Sequence, residues 1–91
     1  MDFDRYKPRL FDYLKQKGIT PVIGLNKCFN PAHEDKNPSC LLTQIFFHCY
    51  SPNCNITGDI YDAIEILEGI QDKNEQYLFA EKLFREEKHE L

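Results

Sequence analysis

The run Ser39–Tyr50, "SCLLTQIFFHCY", sets two apolar arms on either side of Thr43 and Gln44. Short runs rich in apolar and aromatic residues between turn-forming segments read as strands, so this run is expected to fold back on itself as a hairpin. Its turn contains neither Gly nor Asn, which leaves the turn type open. Alternation along a strand puts Phe46 and Phe47 on opposite faces, so one of the two belongs to the core. The same alternation sends His48 away from Cys49.

On the N-terminal side of the hairpin, Ile19–Asn30 ("ITPVIGLNKCFN") mixes β-branched residues with Pro21 and Gly24, which predicts short extended pieces rather than a helix. Before it, Phe3, Tyr6, Leu10, Tyr13 and Leu14 recur at helical spacing, with Asp4 as the expected cap and Gly18 as the stop. Pro8 must then lie in or near the first turn. Beyond the turn-rich "SPNCNITGD", Ile60, Ala63, Ile64, Leu67 and Ile70 form one helical face, capped by Thr57 or Asp59 and stopped near Gly69. A last helix opens at Asp72 or Asn74 and carries Tyr77, Ala80, Leu83 and Phe84, with "REEKHE" as a solvated end. The order of helix, small antiparallel β unit and two helices predicts one α+β domain over residues 1–91.

A chain of 91 residues buries a modest fraction of its surface, and its four cysteines offer a staple. "MDFDRYKPRLFDYL" lacks the apolar run of a signal peptide, and no segment approaches membrane-spanning length. The expected setting is a reducing cytoplasm with no membrane, where thiols bind metal more readily than they form disulfides. Formal net charge is −4, unlike a strong nonspecific nucleic-acid binder. Residues 1–40 hold seven Lys or Arg against five Asp or Glu, while residues 41–91 hold four against ten. A polyanion would meet the first half.

Cys28 and His33 are separated by four residues, Cys49 and Cys54 by four, and fifteen lie between the pairs. Two close donor pairs joined by a hairpin's length of chain fit a tetrahedral structural Zn²⁺ site. Pro31 and Pro52 sit inside the two knuckles. Other readings are two disulfides, a catalytic Cys and His pair, or a site in which Cys40 replaces His33. A closed site of four protein ligands leaves no position for a reactive water, which argues against zinc hydrolysis.

"CFNPAHEDKNPSC", "FFHCYSPNC" and "TGDIYDAIEIL" together resemble the Cys-His-Cys-Cys zinc-binding domain at the N-terminus of bacterial and phage DnaG-type DNA primases. That family follows its first knuckle with an acidic residue, a basic residue, one position, then Pro and Ser, here Asp35, Lys36, Asn37, Pro38 and Ser39. An aromatic strand enters the second cysteine pair, and Gly and Asp open a helix, matched by Phe46, Phe47, Gly58 and Asp59. The resemblance covers about residues 25–70. Both knuckles are two residues wider than the family's usual spacing, which points toward diverged primases of phages, plasmids or transposons. The resemblance implies a zinc ribbon, non-catalytic on its own, that recognises single-stranded template while a separate primase catalytic domain, in cis or in trans, makes the RNA primer. A replicative helicase is a further implied partner.

For template contacts the candidates are Lys27 and Lys36 beside the first knuckle, with Tyr50 and Phe47 as stacking rings. Lys36 reads equally well as a solvated turn lysine. Asp59 reads as a helix cap, and Arg5, Lys7, Arg9, Lys15 and Lys17 as a solvated helix face. The alternative function is a zinc-ribbon protein-interaction module of a phage or plasmid replication or mobilisation protein, docking a helicase, a relaxase or its own chain through the acidic helices at residues 59–89.

Overall fold

In the computed structural model, which describes residues 2–29, 38–51 and 55–85, the hairpin forms as expected. Cys40–Leu42 (β2) pairs antiparallel with Phe47–Cys49 (β3), with Cys40 opposite Cys49 and Leu42 opposite Phe47. Those four side chains turn inward and are fully buried, while Leu41 and His48 face the other way. The turn that lacked Gly or Asn is closed by a side chain. Thr43 Oγ1 accepts from the amides of Ile45 (3.3 Å) and Phe46 (3.1 Å), and the Thr43 amide donates to the Phe46 carbonyl at 2.9 Å. A threonine hydroxyl bonded to backbone two and three residues on replaces the positive-φ residues of a tight turn.

Gly24–Asn26 (β1) and Thr57–Gly58 (β4) complete an antiparallel sheet whose order is β1-β2-β3-β4. Residues 57–58 were expected only as turn and cap. They pair with β3 because the Cys49 amide donates to the Ile56 carbonyl at 2.7 Å and the Thr57 hydroxyl donates to the Phe47 carbonyl at 3.1 Å. Two residues with a glycine carry no strand signal of their own, so this strand owes its existence to its neighbour.

The inner sheet face packs on a helical layer. Residues Phe3–Arg9 form a 3₁₀ helix that passes directly into Leu10–Gln16 (α1), which places Pro8 near the end of the 3₁₀ segment rather than in its first turn. Asp2, not Asp4, is the cap, accepting from the Asp4 amide at 3.1 Å. Tyr6, Leu10, Tyr13 and Leu14 are buried as the helical spacing predicts, and Gly18 ends the segment at φ +83°. Ile60–Glu68 (α2) buries Ile60, Ala63 and Ile64, and also Tyr61, whose hydroxyl donates to the Phe3 carbonyl at 2.8 Å. Leu67 and Ile70 are only partly buried. Lys73–Phe84 (α3), capped by Asp72, buries Tyr77, Ala80, Phe84 and Gln76. Gln76 fits the interior because its amide donates to the Ile70 carbonyl at 2.7 Å, holding the α2–α3 connection. The expected solvated end beyond Arg85 lies outside the described residues.

Asp59 caps α2 in a reciprocal arrangement: its carboxylate accepts from the Tyr61 amide at 3.0 Å, and Asp62 reaches back to the Asp59 amide at 2.9 Å. A Cβ at Gly58 would run into the Asp62 side chain. Gly58→Ala is therefore expected to displace Asp62 and lower stability by about 1 kcal/mol, the usual worth of a helix cap. Urea unfolding should show a lower midpoint, and the same change in an Asp62→Ala background should cost much less.

The helices are also joined through Glu68, which accepts from the Tyr13 hydroxyl at 2.9 Å and pairs with Lys17 at 2.9 Å. Burial pushes the Glu68 carboxyl up, but the Lys17 and Tyr13 hydrogen bonds outweigh it and hold the group below its ordinary value. Burial first, then the bond to Glu68, pushes the Tyr13 hydroxyl up and keeps it a donor. A carboxylate with a lowered folded pKa stabilises the fold above its unfolded value of about 4.3, and this contribution is lost as pH falls through the folded value. Thermal unfolding should find Glu68→Gln less stable than the native chain at pH near 7, with the gap closing below pH about 4.

Candidate functional site

β1 and β3 are both antiparallel to β2, so they run in the same direction and end at the same end of the sheet, where β2 begins. Cys28 lies two residues past β1, Cys49 is the last residue of β3, and Cys40 is the first of β2. The topology thus brings the first cysteine of each expected knuckle to one sheet end. Cys49 is fully buried and Cys28 half-buried against the core. Phe29, next to Cys28, packs edge-on against Phe47 with centroids 4.9 Å apart, fixing the exit of β1 over the hairpin.

His33 and Cys54, the other two expected donors, lie outside the described residues, as does Lys36. The chain that contains them leaves and re-enters the structure at that same sheet end. Ser39 donates its amide to the Asn26 carbonyl at 3.0 Å just after the first stretch, and Asn55 donates to the Ser51 carbonyl at 2.9 Å across the second. Asn55 takes φ +47°, the left-handed region that asparagine tolerates better than most residues. Three thiolates and one imidazole make a donor set that suits zinc. The Ser39 hydroxyl, 3.9 Å from Cys49 Sγ, is a polar neighbour of the kind that orients a metal thiolate. Among the described residues no three His, Cys, Asp or Glu side chains gather closely enough to share a metal.

The outer sheet face is a second feature. Leu25, Leu41, His48 and Thr57 stand opposite one another in register across the four strands. Tyr50 follows β3, is 62% exposed and meets His48 edge-on at 4.3 Å between centroids. Lys27 is exposed just beyond β1, at the same sheet end. Phe47 is corrected as a stacking candidate. It faces Leu42 on the inner side with no exposed surface, and the ring that reaches solvent is Phe46, at the hairpin tip. The alternation that sends His48 away from Cys49 makes it the neighbour of Tyr50. The period-2 spacing of residues 48 and 50 was the signal available for this pairing.

Charge is segregated between the layers. Every described carboxylate side chain, from Asp2 to Glu81, sits in a helical segment or its cap, and residues 13–29 and 38–58 contain no Asp or Glu. Some N-terminal cations are engaged with those carboxylates: Lys7 with Asp4 at 2.9 Å, Arg9 with Asp12 at 2.9 Å and Lys17 with Glu68. Lys7 also lies 3.9 Å from Asp59. These pairs make the N-terminal helical segment a poor extension of any phosphate-binding track.

The chain matches no family model, no curated protein and no solved structure. Among the described residues no helix is long and apolar enough to cross a membrane.

Phe46→Ala and Phe47→Ala should separate sharply. Removing the buried ring is expected to cost roughly 3–5 kcal/mol, while Phe46→Ala should stay within about 1 kcal/mol of the native chain because that ring is partly solvated. Equilibrium denaturation of both variants checks this.

Proposed function

We propose that this chain is the zinc-binding, template-recognition module of a primase-like protein, working with a separate catalytic domain in the cytoplasm. The observation that carries the reading is the convergence of Cys28 and Cys49 at one sheet end, beside an outer face that bears Lys27, His48 and Tyr50 and, among the described residues, no carboxylate. In this reading Cys28, His33, Cys49 and Cys54 hold one structural Zn²⁺, which ties the two loops to each other and to the sheet as a zinc ribbon. The ordered series Asp35, Lys36, Pro38 and Ser39, followed by the aromatic strand, supports the primase assignment over a generic zinc ribbon.

The net charge of −4 argues against nonspecific binding of duplex DNA, but segregation answers the objection locally. A single strand laid along the outer face would meet Lys27 and, from the adjoining loop, Lys36 beside Glu34 and Asp35, while the described carboxylates remain in the helical layer. Tyr50 offers a ring for a base, with His48 behind it fixing its orientation. A stacked base contributes about 1–3 kcal/mol and tolerates any sequence. With all four metal positions filled by protein, the site stabilises structure and carries out no hydrolysis.

Protein docking through the acidic helices is the second reading, favoured by Leu78, which is 51% exposed on α3 beside Ile70 and Phe79. Fluorescence anisotropy of zinc-loaded full chain with short single-stranded DNA separates the two. The template reading expects binding that weakens with added salt and a loss of about 1–3 kcal/mol for Tyr50→Ala. Lys27→Ala and Lys36→Ala should flatten the salt dependence, and Leu78→Asp should leave binding unchanged. No binding to any single strand at low salt would contradict template recognition.

A further inference from the structure

We propose that Cys40 is a resolving thiol for Cys49. In the metal-free chain the two form a disulfide across β2 and β3 that removes Cys49 from the metal's donor set, so that oxidation opposes metal binding. The proposal rests on the reading above, in which Cys49 is a ligand and Cys40 is not.

Cys40 and Cys49 stand directly opposite each other, and both side chains are fully buried on the inner face. The rungs of the ladder identify the kind of pair. The Tyr50 amide donates to the Ser39 carbonyl at 2.8 Å and the Thr43 amide donates to the Phe46 carbonyl at 2.9 Å. Hydrogen-bonded rungs alternate with non-bonded ones, so Cys40 and Cys49 fall on a non-bonded rung, where facing Cα atoms approach to about 4.5 Å. That separation lies within the range a disulfide spans without moving the backbone.

The oxidant is a hydroperoxide, which reaches the buried Cys49 only through local opening of the metal-free chain. The Cys49 thiolate attacks one peroxide oxygen, forming an S–O bond as the O–O bond breaks, and the departing oxygen leaves protonated. The Cys40 sulfur then attacks Cys49 Sγ, forming the S–S bond as the S–O bond breaks. The hydroxide that departs takes the Cys40 proton and leaves as water. With hydrogen peroxide, two thiols and one oxidant give one disulfide and two waters, and the sulfurs supply the two electrons. Bound zinc holds the Cys49 electron pair that the first step needs, so the metal-loaded chain should resist.

The test treats the reduced, metal-free full chain with hydrogen peroxide, maps cross-linked peptides by mass spectrometry, and follows zinc uptake before oxidation, after it, and after a dithiol reductant. The expected result is loss of two hydrogens mapped to a Cys40–Cys49 link, zinc uptake lost with it, and recovery on reduction. Cys40→Ala, whose fold is checked by circular dichroism, should bind zinc and lose uptake more slowly under peroxide. A cross-link between any other pair with Cys40 still reduced would overturn the proposal, as would Cys40→Ala losing uptake as fast as the native chain. If the untreated chain takes up no zinc, the metal reading fails, while the peptide map still decides the pairing.

Discussion

The register of β2 against β3 is the constraint on which the remaining architecture depends. With Leu42 opposite Phe47 and Cys40 opposite Cys49, every second side chain of the hairpin enters the core. Because side chains alternate with a period of two, a slip of one residue would send Phe47 and Cys49 to solvent and bury His48. The Thr43 hydroxyl network fixes the turn, and β1 and β4 then add at the two edges. The buried Phe47 ring in turn receives Phe29 and so positions the stretch that carries Cys28.

That register also separates the apolar residues of this small acidic chain from its described carboxylates. The inner face commits its apolar residues to the helices, and the helices hold the described carboxylates as caps, ion pairs and solvated positions. The outer face is left with Leu25, Leu41, His48 and Tyr50 and with Lys27 at its margin. The Gly58-Asp59 pair has a purely architectural cause: glycine leaves room for Asp62 to reach the Asp59 amide, and Asp59 caps α2. The proposed primase likeness therefore rests on the Asp35 to Ser39 series rather than on this pair.

Much of the fold was legible where one residue's chemistry decides locally. The hairpin arms, the Asp59 cap, the stop at Gly69 and the buried positions Leu10, Leu14, Ile60 and Ile64 follow from spacing and capping alone. The misses share a cause, which is that tertiary partners chose the outcome. β4 exists because β3 offers it hydrogen bonds. Tyr61 is buried because Phe3 gives its hydroxyl an acceptor, and Asp2 displaces Asp4 as cap because the segment starts as a 3₁₀ helix. The choice between Phe46 and Phe47 required the register, which no local pattern encodes when both neighbours are aromatic. For the site, the sheet-end positions of Cys28 and Cys49 extend the sequence reading, whereas His33, Lys36 and Cys54 rest on spacing and resemblance.

The measurement that bears most directly on the central claim is cobalt substitution of the reduced full chain, followed by optical absorption and metal quantitation. One Co²⁺ per chain is predicted, with the intense visible bands of a tetrahedral ion and the sulfur-to-metal absorption of three thiolates. Replacing Cys28, His33, Cys49 or Cys54 should each weaken or abolish this spectrum, and replacing Cys40 should leave it unchanged. Absence of stoichiometric binding, or a spectrum that depends on Cys40 and is indifferent to His33, would contradict the account.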